Sequence, residues 1–259
     1  MTQQKAIIIG GGFAGIQAAL DLSKKHKDKD LEITLISDRG HFEYYPALHG
    51  YLSVNGPVPY HMLSLADIFS NRSVKLVIEK VTACDLAAKT VTLESGETLS
   101  GDYIVLALGS QSTFFGIEGL AAMAFPFQNT THAKRLREHV NNLFDKHCAN
   151  TKDIADCVVG LHFVIVGAGP NGVDLAGELA TYTKHNLPES FVTVDLIEGA
   201  SAVLGMMPKK VQDVATKRLR ELGVNILCNR QLMKQGSWTV ALADMTLGAK
   251  TLIWTAGTT

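Results

Sequence analysis

The sequence has few cysteines and lacks any apolar run long enough to cross a membrane. The four cysteines, which are Cys84, Cys148, Cys157 and Cys228, have spacings that fit neither a metal site nor a disulfide framework. We therefore expect a reducing, cytosol-facing compartment. Apolar runs such as residues 103–108 and 161–166 are far shorter than the roughly 20 residues that span a bilayer. A first strand from about residue 5 leaves no room for a signal peptide, so we expect a soluble or peripheral chain.

The sequence also lacks an excess of charge of either sign. Its 24 Lys and Arg residues against 25 Asp and Glu residues give a formal net charge of -1, and the basic residues are scattered. We therefore expect no nucleic-acid partner. The nine histidines form no H-E-x-x-H motif and no cluster with cysteine, so we predict no metal site. The absence of a G-x-S-x-G motif leaves hydrolase chemistry without support.

Two copies of a strand-turn-helix-strand unit are present. Hydrophobic periodicity predicts strands at residues 5–9, 31–36, 161–166 and 191–197, with helices at residues 14–27 and 172–184 between them. The continuous apolar strands are typical of parallel sheets buried on both faces. The copies start about 157 residues apart, from Gly10 to Gly167, which indicates a duplicated domain in which each copy binds its own ligand.

Hydrophobic periodicity and turn residues also predict the secondary structure of the segments between and after the two copies. We predict a loop at residues 40–59, helices at 60–69, 131–148 and 209–222, and strands at 224–228 and 251–254. Short strands at 74–78, 81–85, 90–93 and 103–106 suggest a β-meander that returns to the parent sheet. The polar stretch at 149–156 marks a domain junction.

A glycine-rich motif follows the first strand. Gly10, Gly12 and Gly15 match G-x-G-x-x-G, in which the first glycine turns tightly, the second admits a pyrophosphate and the third allows close helix packing. The free N–H groups at the helix start, around Phe13 and Ala14, favour a pyrophosphate without a Lys or Arg in the loop. We interpret the motif as a dinucleotide site, and the alternative is a purely structural turn.

An acidic residue is expected after the second strand, where it would hydrogen-bond the ribose. Asp38 lies 23 residues after Gly15 (38 minus 15), near the expected distance of about 20. Ser37 competes for this position, and Arg39 completes the candidate segment. The alternative is that Asp38 is a solvated loop acid.

The second copy repeats the motif. Gly167, Gly169 and Gly172 match G-x-G-x-x-G with Asn171 inside it, and Glu198 lies 26 residues further on (198 minus 172). We predict that Glu198 accepts both ribose hydroxyls. A carboxylate there would repel a 2′-phosphate and no Arg stands beside it in the sequence, so NADH is favoured over NADPH. The alternative for Glu198 is a surface acid.

These stretches, taken together, resemble a type II NADH dehydrogenase of the two-dinucleotide flavoprotein superfamily. The resemblance rests on residues 7–15, 103–109, 164–179 and 251–257, and therefore runs through the whole chain. It implies an α/β fold with two Rossmann-like domains on parallel sheets, the NAD domain being inserted in the FAD domain with β-meander crossovers. We expect an FAD-binding domain at 1–115, a linker and helix at 116–160, and an NAD(H)-binding domain at 161–259.

The resemblance also implies the cofactors FAD and NAD(H) and a set of further site residues. Residues 42–48 would lie beside the flavin, with Pro46 lining it, although an ordinary turn is an equal alternative. Val81 lies in the segment that would meet the FAD adenine. The ends of the two strands that cross between the domains supply four more candidate cofactor-binding residues: Ala107, Gly109, Ala256 and Gly257.

The implied activity is hydride transfer from NADH to FAD, followed by electron transfer to a quinone-like acceptor. Glu178 would supply protons near the meeting of nicotinamide and flavin, or is a helix-surface acid. A disulfide reductase would need a redox cysteine pair, which the sequence lacks. Sulfide:quinone oxidoreductases are similar in fold but depend on redox cysteines and generally lack a competent second glycine-rich loop.

Two departures from the family pattern qualify these expectations. Many members place the ribose acid at the position of Ser37, whereas here Asp38 follows it. The family also continues beyond Gly257 into a flavin-binding segment and C-terminal helices, which would provide the membrane contact at the cytoplasmic face and which this sequence lacks. We therefore keep a second hypothesis, a redox-inactive dinucleotide-binding fragment or module, and list a homodimer among the expectations.

The Glu198→Ala substitution tests the nucleotide preference. We expect it to weaken NADH binding more than NADPH binding, because the carboxylate accepts ribose hydroxyls and repels a 2′-phosphate. Titration of the variant with each nucleotide measures the two affinities. Equal losses for both nucleotides would show that Glu198 is not the discriminating contact.

Overall fold

The computed structural model describes residues 3–26, 30–52, 62–149, 161–186 and 192–257, apart from the side chains of residues 146–149. Most of the predicted junction at 149–156 lies outside these ranges, as do Cys157 and residues 53–59 of the predicted loop. The chain divides into two compact units. The first comprises residues 1–44 and 59–110, and the second comprises residues 45–58 and 111–259.

The first unit is built on a parallel sheet with one long helix. Its elements in chain order are β1 (Gln4–Ile9), α1 (Phe13–Lys25), β2 (Leu31–Ser37), β3 (His41–Glu43), β4 (Met62–Ser64), α2 (Leu65–Ile68), β5 (Val74–Ile78), β6 (Val81–Asp85), β7 (Thr90–Leu93), β8 (Thr98–Ser100) and β9 (Tyr103–Leu106). The sheet order is β5-β2-β1-β9, and all three pairings are parallel. This confirms the predicted Rossmann-like arrangement.

The core of the first unit explains the continuous apolar strands. Ile8 and Leu35 lie on the two central strands and are fully buried. Ile16 and Ala19 bury one side of α1 in the same hydrophobic cluster, while Ile7 packs in a separate cluster with residues of β7. Because the strands are covered on both faces, they carry apolar residues at successive positions instead of alternate ones.

Two predictions for the first unit are wrong in detail. Residues 74–78 do not open a meander: β5 pairs in parallel with β2, and the separate antiparallel sheet is formed by β6, β7 and β8. Of the helix predicted at 60–69, the described residues form only the single turn α2. The strand β4 lies within the range of that predicted helix and pairs with β3, which lies within the predicted loop. Ser64 accepts a hydrogen bond from the Asp67 N–H and caps α2. These short elements lack a full hydrophobic period, so the sequence pattern could not separate them.

The second unit contains a second parallel sheet with helices packed on it. Its elements in chain order are a 3-10 helix (Tyr45–Tyr51), α3 (Leu120–Met123), β10 (Phe125–Pro126), α4 (Thr130–Ala149), β11 (His162–Val166), α5 (Pro170–Asn186), β12 (Thr193–Ile197), α6 (Lys209–Glu221), β13 (Val224–Leu227), β14 (Leu232–Gln235), β15 (Thr239–Leu242), β16 (Thr246–Gly248) and β17 (Thr251–Trp254). The sheet order is β10-β17-β11-β12-β13, with parallel pairings throughout. No helix within the described ranges is long and apolar enough to cross a membrane.

A row of polar side chains crosses three strands of the second sheet. Asp195 on β12 is 4% exposed. One carboxylate oxygen lies 2.8 Å from Nε2 of His162 on β11, and the other accepts a hydrogen bond of 2.8 Å from the Asn225 amide on β13. The buried carboxylate is therefore paired on both oxygens, as burial of a charge requires.

The 3-10 helix at 45–51 belongs to the core of the second unit, although the sequence surrounds it with first-unit residues. It packs against α4 and α5. Leu48, Tyr51 and Leu52 are each at most 3% exposed and lie in the same hydrophobic cluster as Leu136 of α4. The segment thus contributes apolar residues to a unit whose remaining chain begins more than fifty residues later.

A truncation of Leu48 tests this assignment. We expect Leu48→Ala to lower the unfolding free energy of the second unit by about 2–5 kcal/mol, because it leaves a cavity in the core. Both tryptophans, Trp238 and Trp254, lie in the second unit, so their fluorescence in urea reports its unfolding. Leu86→Ala, at a side chain exposed by 61% in the first unit, is the matched control. An unchanged tryptophan transition in Leu48→Ala would contradict the assignment.

Candidate functional site

The first glycine-rich loop joins β1 to α1, and two of its glycines are required by the backbone. Gly10 has φ +116°, and a Cβ atom there would lie 2.1 Å from the carbonyl oxygen of Ala107. A Cβ atom on Gly15 would lie 1.9 Å from the carbonyl oxygen of Gly10. Real Cβ contacts are never so short, so any side chain would push α1 away from the strand ends. The first and third glycines of the motif therefore hold the helix close to the sheet.

The second glycine of the motif has no such neighbour. A Cβ atom on Gly12 would meet nothing within 4 Å. Gly12 is the N-cap of α1, no side chain caps the helix, and its first turn carries no acidic residue. The first N–H groups of α1 therefore lack a partner from the helix itself or from a cap, and they favour an anion. Protein packing does not require glycine here, but the close approach of a ligand would.

Aromatic side chains lie beside this loop. Phe13, in the first turn of α1, is 51% exposed. Its ring meets Phe42 edge to face with centroids 4.8 Å apart, and it lies 5.9 Å from the Tyr44 ring. Ala14, the next helix residue, is exposed. The sequence identified Phe13 only as part of the motif, because the contact with Phe42 depends on how the β3 strand folds back.

The candidate ribose segment after β2 has its polar groups paired with one another. Ser37 is 5% exposed, and its hydroxyl donates to the Arg39 carbonyl at 2.8 Å. Asp38 is exposed and lies 3.4 Å from the Arg39 side chain. Arg39 also forms a 2.9 Å ion pair with the buried carboxylate of Glu43, which His41 approaches at 3.6 Å. Sequence analysis missed Glu43, since a buried acid in a short strand has no pattern of its own.

The second glycine-rich loop joins β11 to α5 with the same division of roles. Gly167 has φ +104°, and a Cβ atom on Gly172 would lie 1.8 Å from the Gly167 carbonyl oxygen. The Thr255 hydroxyl lies 2.9 Å from the Val166 carbonyl oxygen and 2.8 Å from the Gly167 carbonyl oxygen, so these two acceptors share its single proton. Thr255 was not predicted, because its role depends on the pairing of β17 with β11.

Gly169 is the open glycine of the second loop. It is exposed, and a Cβ atom there would meet nothing within 4 Å. Pro170 starts α5, a position where its missing N–H costs no hydrogen bond. Asn171 follows in the first turn and is exposed. Both loops therefore place a glycine that packing does not need at the start of a helix.

Glu198 lies next to the second loop, directly after β12. One carboxylate oxygen accepts a hydrogen bond of 2.7 Å from the Ala168 N–H, and the other accepts one of 2.8 Å from the Ala200 N–H. A carboxylate has about four acceptor positions, so capacity for ribose hydroxyls remains. Burial raises the pKa of the nearby Cys228 thiol, and the charge of Glu198 raises it further. This thiol therefore stays protonated at neutral pH and is a poor nucleophile.

The residues that follow β9 pack against the first glycine-rich loop, and those that follow β17 pack against the second. The Ala107 N–H donates to the Ile9 carbonyl at 2.8 Å, and Gly109 has φ +74° with open space around it. At the corresponding end of β17, Gly257 has φ +66° and faces the Phe115 ring, which a Cβ atom would meet at 2.6 Å. Ala256 lies against Gly167 and is half-buried.

The remaining predicted site residues lie apart from the loops along the chain. Pro46 is exposed in the 3-10 helix of the second unit, and Val81 is half-buried at the start of β6. Glu178 is half-buried on α5, and within the described ranges its side chain forms no hydrogen bond or ion pair. The described cysteine side chains, Cys84 and Cys228, are both free thiols. No group of three or more potential metal ligands occurs in the part of the chain that the structure describes.

Comparison with known proteins finds relatives that match along almost the whole chain. Residues 4–259 match the pyridine nucleotide-disulphide oxidoreductase family. The chain is 30% identical over 274 aligned positions to the type II NADH:quinone oxidoreductase Ndh of Mycobacterium tuberculosis, covering 98% of this chain and 58% of the relative. It is 27% identical to the type II NADH:quinone oxidoreductase of Staphylococcus saprophyticus, of which it covers 65%. The chain thus spans less than two thirds of the length of these relatives.

Solved structures resemble the chain in fold. NDH2 from Plasmodium falciparum in complex with NADH has a TM-score of 0.89 and 22% identity, and the match covers 99% of this chain and 55% of that one. The sulfide:quinone oxidoreductase of Aquifex aeolicus has a TM-score of 0.78 and 22% identity, with 97% of this chain and 58% of that chain covered. These likenesses confirm the predicted Rossmann-like α/β fold. With a family match that runs through both glycine-rich loops, the chain belongs to the pyridine nucleotide-disulphide oxidoreductase family.

Proposed function

We propose that the chain holds FAD at its first glycine-rich loop and NADH at its second, as part of an NADH:quinone oxidoreductase of type II. The relatives named above carry this activity in their names. FAD, when bound, accepts a hydride from NADH and passes electrons to a quinone-like acceptor. The work of the protein is to bind and orient both nucleotides and to exclude water.

The open glycines carry this proposal. Gly12 and Gly169 each lie at the start of a helix, and neither would meet a neighbour if it carried a Cβ atom. The first and third glycines of the motifs, in contrast, are required by packing, since a Cβ atom on Gly10, Gly15 or Gly172 would lie 2.1 Å or less from a carbonyl oxygen. A glycine that packing does not need fits a loop against which a pyrophosphate lies, and the helix start supplies the N–H donors.

The second site favours NADH. The Glu198 carboxylate is held by the Ala168 and Ala200 N–H groups, so its position is fixed before a ligand binds. A fixed carboxylate can accept ribose hydroxyls and repels a 2′-phosphate. Arg230, whose N–H donates to the Glu198 carbonyl, is engaged through its guanidinium with Asp244 at 3.0 Å.

We further infer that the full activity involves a quinone-like acceptor at the cytoplasmic face of a membrane. The quinone-like acceptor rests on the names of the relatives, whereas the cytoplasmic face of a membrane rests on the resemblance of the sequence alone. Membrane contact would use a C-terminal region of the full-length relatives, and a homodimer is part of the same proposal. Glu178, half-buried on α5 and without a partner among the described residues, is the candidate for proton supply.

Alanine at the open glycines tests the nucleotide sites. We expect Gly169→Ala to fold normally and to weaken NADH binding roughly tenfold or more, because a methyl group would block the hydrogen bonds between pyrophosphate and loop. Gly12→Ala should weaken FAD binding in the same way. Isothermal titration with each nucleotide gives the affinities, and thermal melting confirms the fold.

Gly177→Ala on α5 is the matched control. A Cβ atom on Gly177 would meet only leucine methyl groups at 3.7 and 3.9 Å, so the substitution fits. It should change stability by about 1 kcal/mol or less in favour of the helix and leave NADH binding intact. If Gly169→Ala binds NADH as tightly as Gly177→Ala does, the second loop is not the pyrophosphate site.

Flavin colour and its loss test the activity. We expect the purified chain, reconstituted with FAD if needed, to be yellow and to be bleached by NADH in the absence of air. Absorbance near the flavin maximum follows the reduction, and NADPH serves as the control nucleotide with a weaker effect. A colourless protein that FAD does not reconstitute would overturn the proposal for this chain and leave the redox-inactive dinucleotide-binding module.

A further inference from the structure

The two units provide an internal alignment of their nucleotide loops. In the first unit the Gly10 N–H donates to the Ile36 carbonyl at 2.8 Å. In the second unit the Gly167 N–H donates to the Ile197 carbonyl, also at 2.8 Å. The strand registers agree, since Ile36 and Ile197 each pair with the last residue of the strand that leads into the loop of their unit. The residue after each isoleucine is therefore equivalent, and Ser37 corresponds to Glu198.

Glu198 and Ser37 differ in the hydrogen bonds that they form with their glycine-rich loops. In the second unit a carboxylate oxygen of Glu198 accepts the Ala168 N–H at 2.7 Å. The equivalent N–H in the first unit is that of Gly11, which has no acceptor among the described residues. The Ser37 hydroxyl donates to the Arg39 carbonyl at 2.8 Å and accepts the Arg39 N–H at 3.3 Å, and no hydrogen bond joins it to the Gly11 N–H among the described residues. The first loop therefore keeps an unused donor where the second has a charged acceptor.

Ser37 also packs closely against the first glycine-rich loop. A Cβ atom on Gly11 would lie 2.5 Å from the Ser37 hydroxyl oxygen, whereas the second loop has a real Cβ on Ala168 beside Glu198. The short serine therefore lies directly beneath the first loop. A longer side chain at position 37 has to extend along the loop, as Glu198 does in the second unit.

Asp38 does not occupy this place. It follows the equivalent position by one residue, and its side chain is 62% exposed and lies 3.4 Å from the Arg39 guanidinium. Arg39 in turn is held by the buried Glu43 carboxylate at 2.9 Å. The acid that directly follows the predicted ribose position is therefore directed to a surface ion pair, and no hydrogen bond joins its carboxylate to the Gly11 N–H among the described residues.

We propose that Ser37 occupies the place of the ribose carboxylate in the first nucleotide site, and that Asp38 does not take over the role of that carboxylate. The first site then holds the adenosine ribose of FAD with neutral groups, and the Gly11 N–H is left for the ligand. It also lacks the negative charge that repels a 2′-phosphate at the second site. This inference rests on the proposed function, since it concerns the FAD site.

The affinity of three variants for FAD tests the inference. Ser37→Glu restores the missing carboxylate, and we expect it to tighten FAD binding by roughly threefold to tenfold, as a charged hydrogen-bond acceptor does. Asp38→Asn removes the surface acid and should change the affinity by less than about twofold. Ser100→Glu adds the same charge at an exposed position of the same unit and controls for net charge. Titration of the full chain with FAD, followed by flavin fluorescence, gives each dissociation constant.

The outcomes separate the inference from the proposed function. Tighter binding in Ser37→Glu alone supports the inference. If the wild-type chain binds FAD and Asp38→Asn lowers the FAD affinity by roughly tenfold or more, the inference is overturned while the proposed function stands. The Asp38→Asn result decides this even if Ser37→Glu does not fold. A wild-type chain without FAD affinity contradicts the function, but binding gained in Ser37→Glu then still supports the inference. Absence of binding in both overturns the two together.

Discussion

The contact between the first and third glycines of each motif is the constraint on which both proposed nucleotide sites depend. In the second unit a side chain on Gly172 would come within 1.8 Å of the Gly167 carbonyl oxygen, and Gly15 meets Gly10 in the same way. This closeness lets the helix start directly at the end of the strand. The free N–H groups of the helix are then directed past the strand end, where a pyrophosphate can bind without any basic side chain. Because these glycines lack a Cβ atom, the helix can pack closely against the sheet and leave its first N–H groups open to a ligand.

The second glycine of the motif has a different basis. No atom of the described residues fills the space beside Gly12 or Gly169. Packing would therefore accept alanine at either position, although glycine is favoured over alanine at a helix N-cap such as Gly12. The open space beside each glycine leaves room for the close approach of a ligand. The Cβ geometry thus separates the glycines that helix–sheet packing requires from the one in each motif that it does not require, which the sequence alone cannot do.

Strands with clear apolar runs were predictable from the sequence, and contacts made through side chains in the folded chain were not. The strands at 74–78, 81–85, 90–93, 103–106 and 251–254 were predicted at the residues where they occur, because their apolar runs are bounded by turns. The sheet of β14, β15 and β16 was missed, since its strands of three or four residues mix polar and apolar positions. Thr255 and Glu43 were missed for a related reason, because each acts through a partner that only the folded chain brings near.

The two copies of the loop also differ in how much of their order comes from the protein itself. In the second copy Thr255 binds two carbonyls and Glu198 binds two N–H groups, so side chains fix both sides of the turn. In the first copy the residue equivalent to Thr255 is Ala107, which pairs with Ile9 through its backbone alone, and Ser37 bonds to Arg39 instead of the loop. A loop with fewer internal bonds leaves more of its ordering to the ligand, and that ordering reduces the affinity gained per contact. Duplication has kept the glycines that close each turn, while the side chains that stiffen it have diverged.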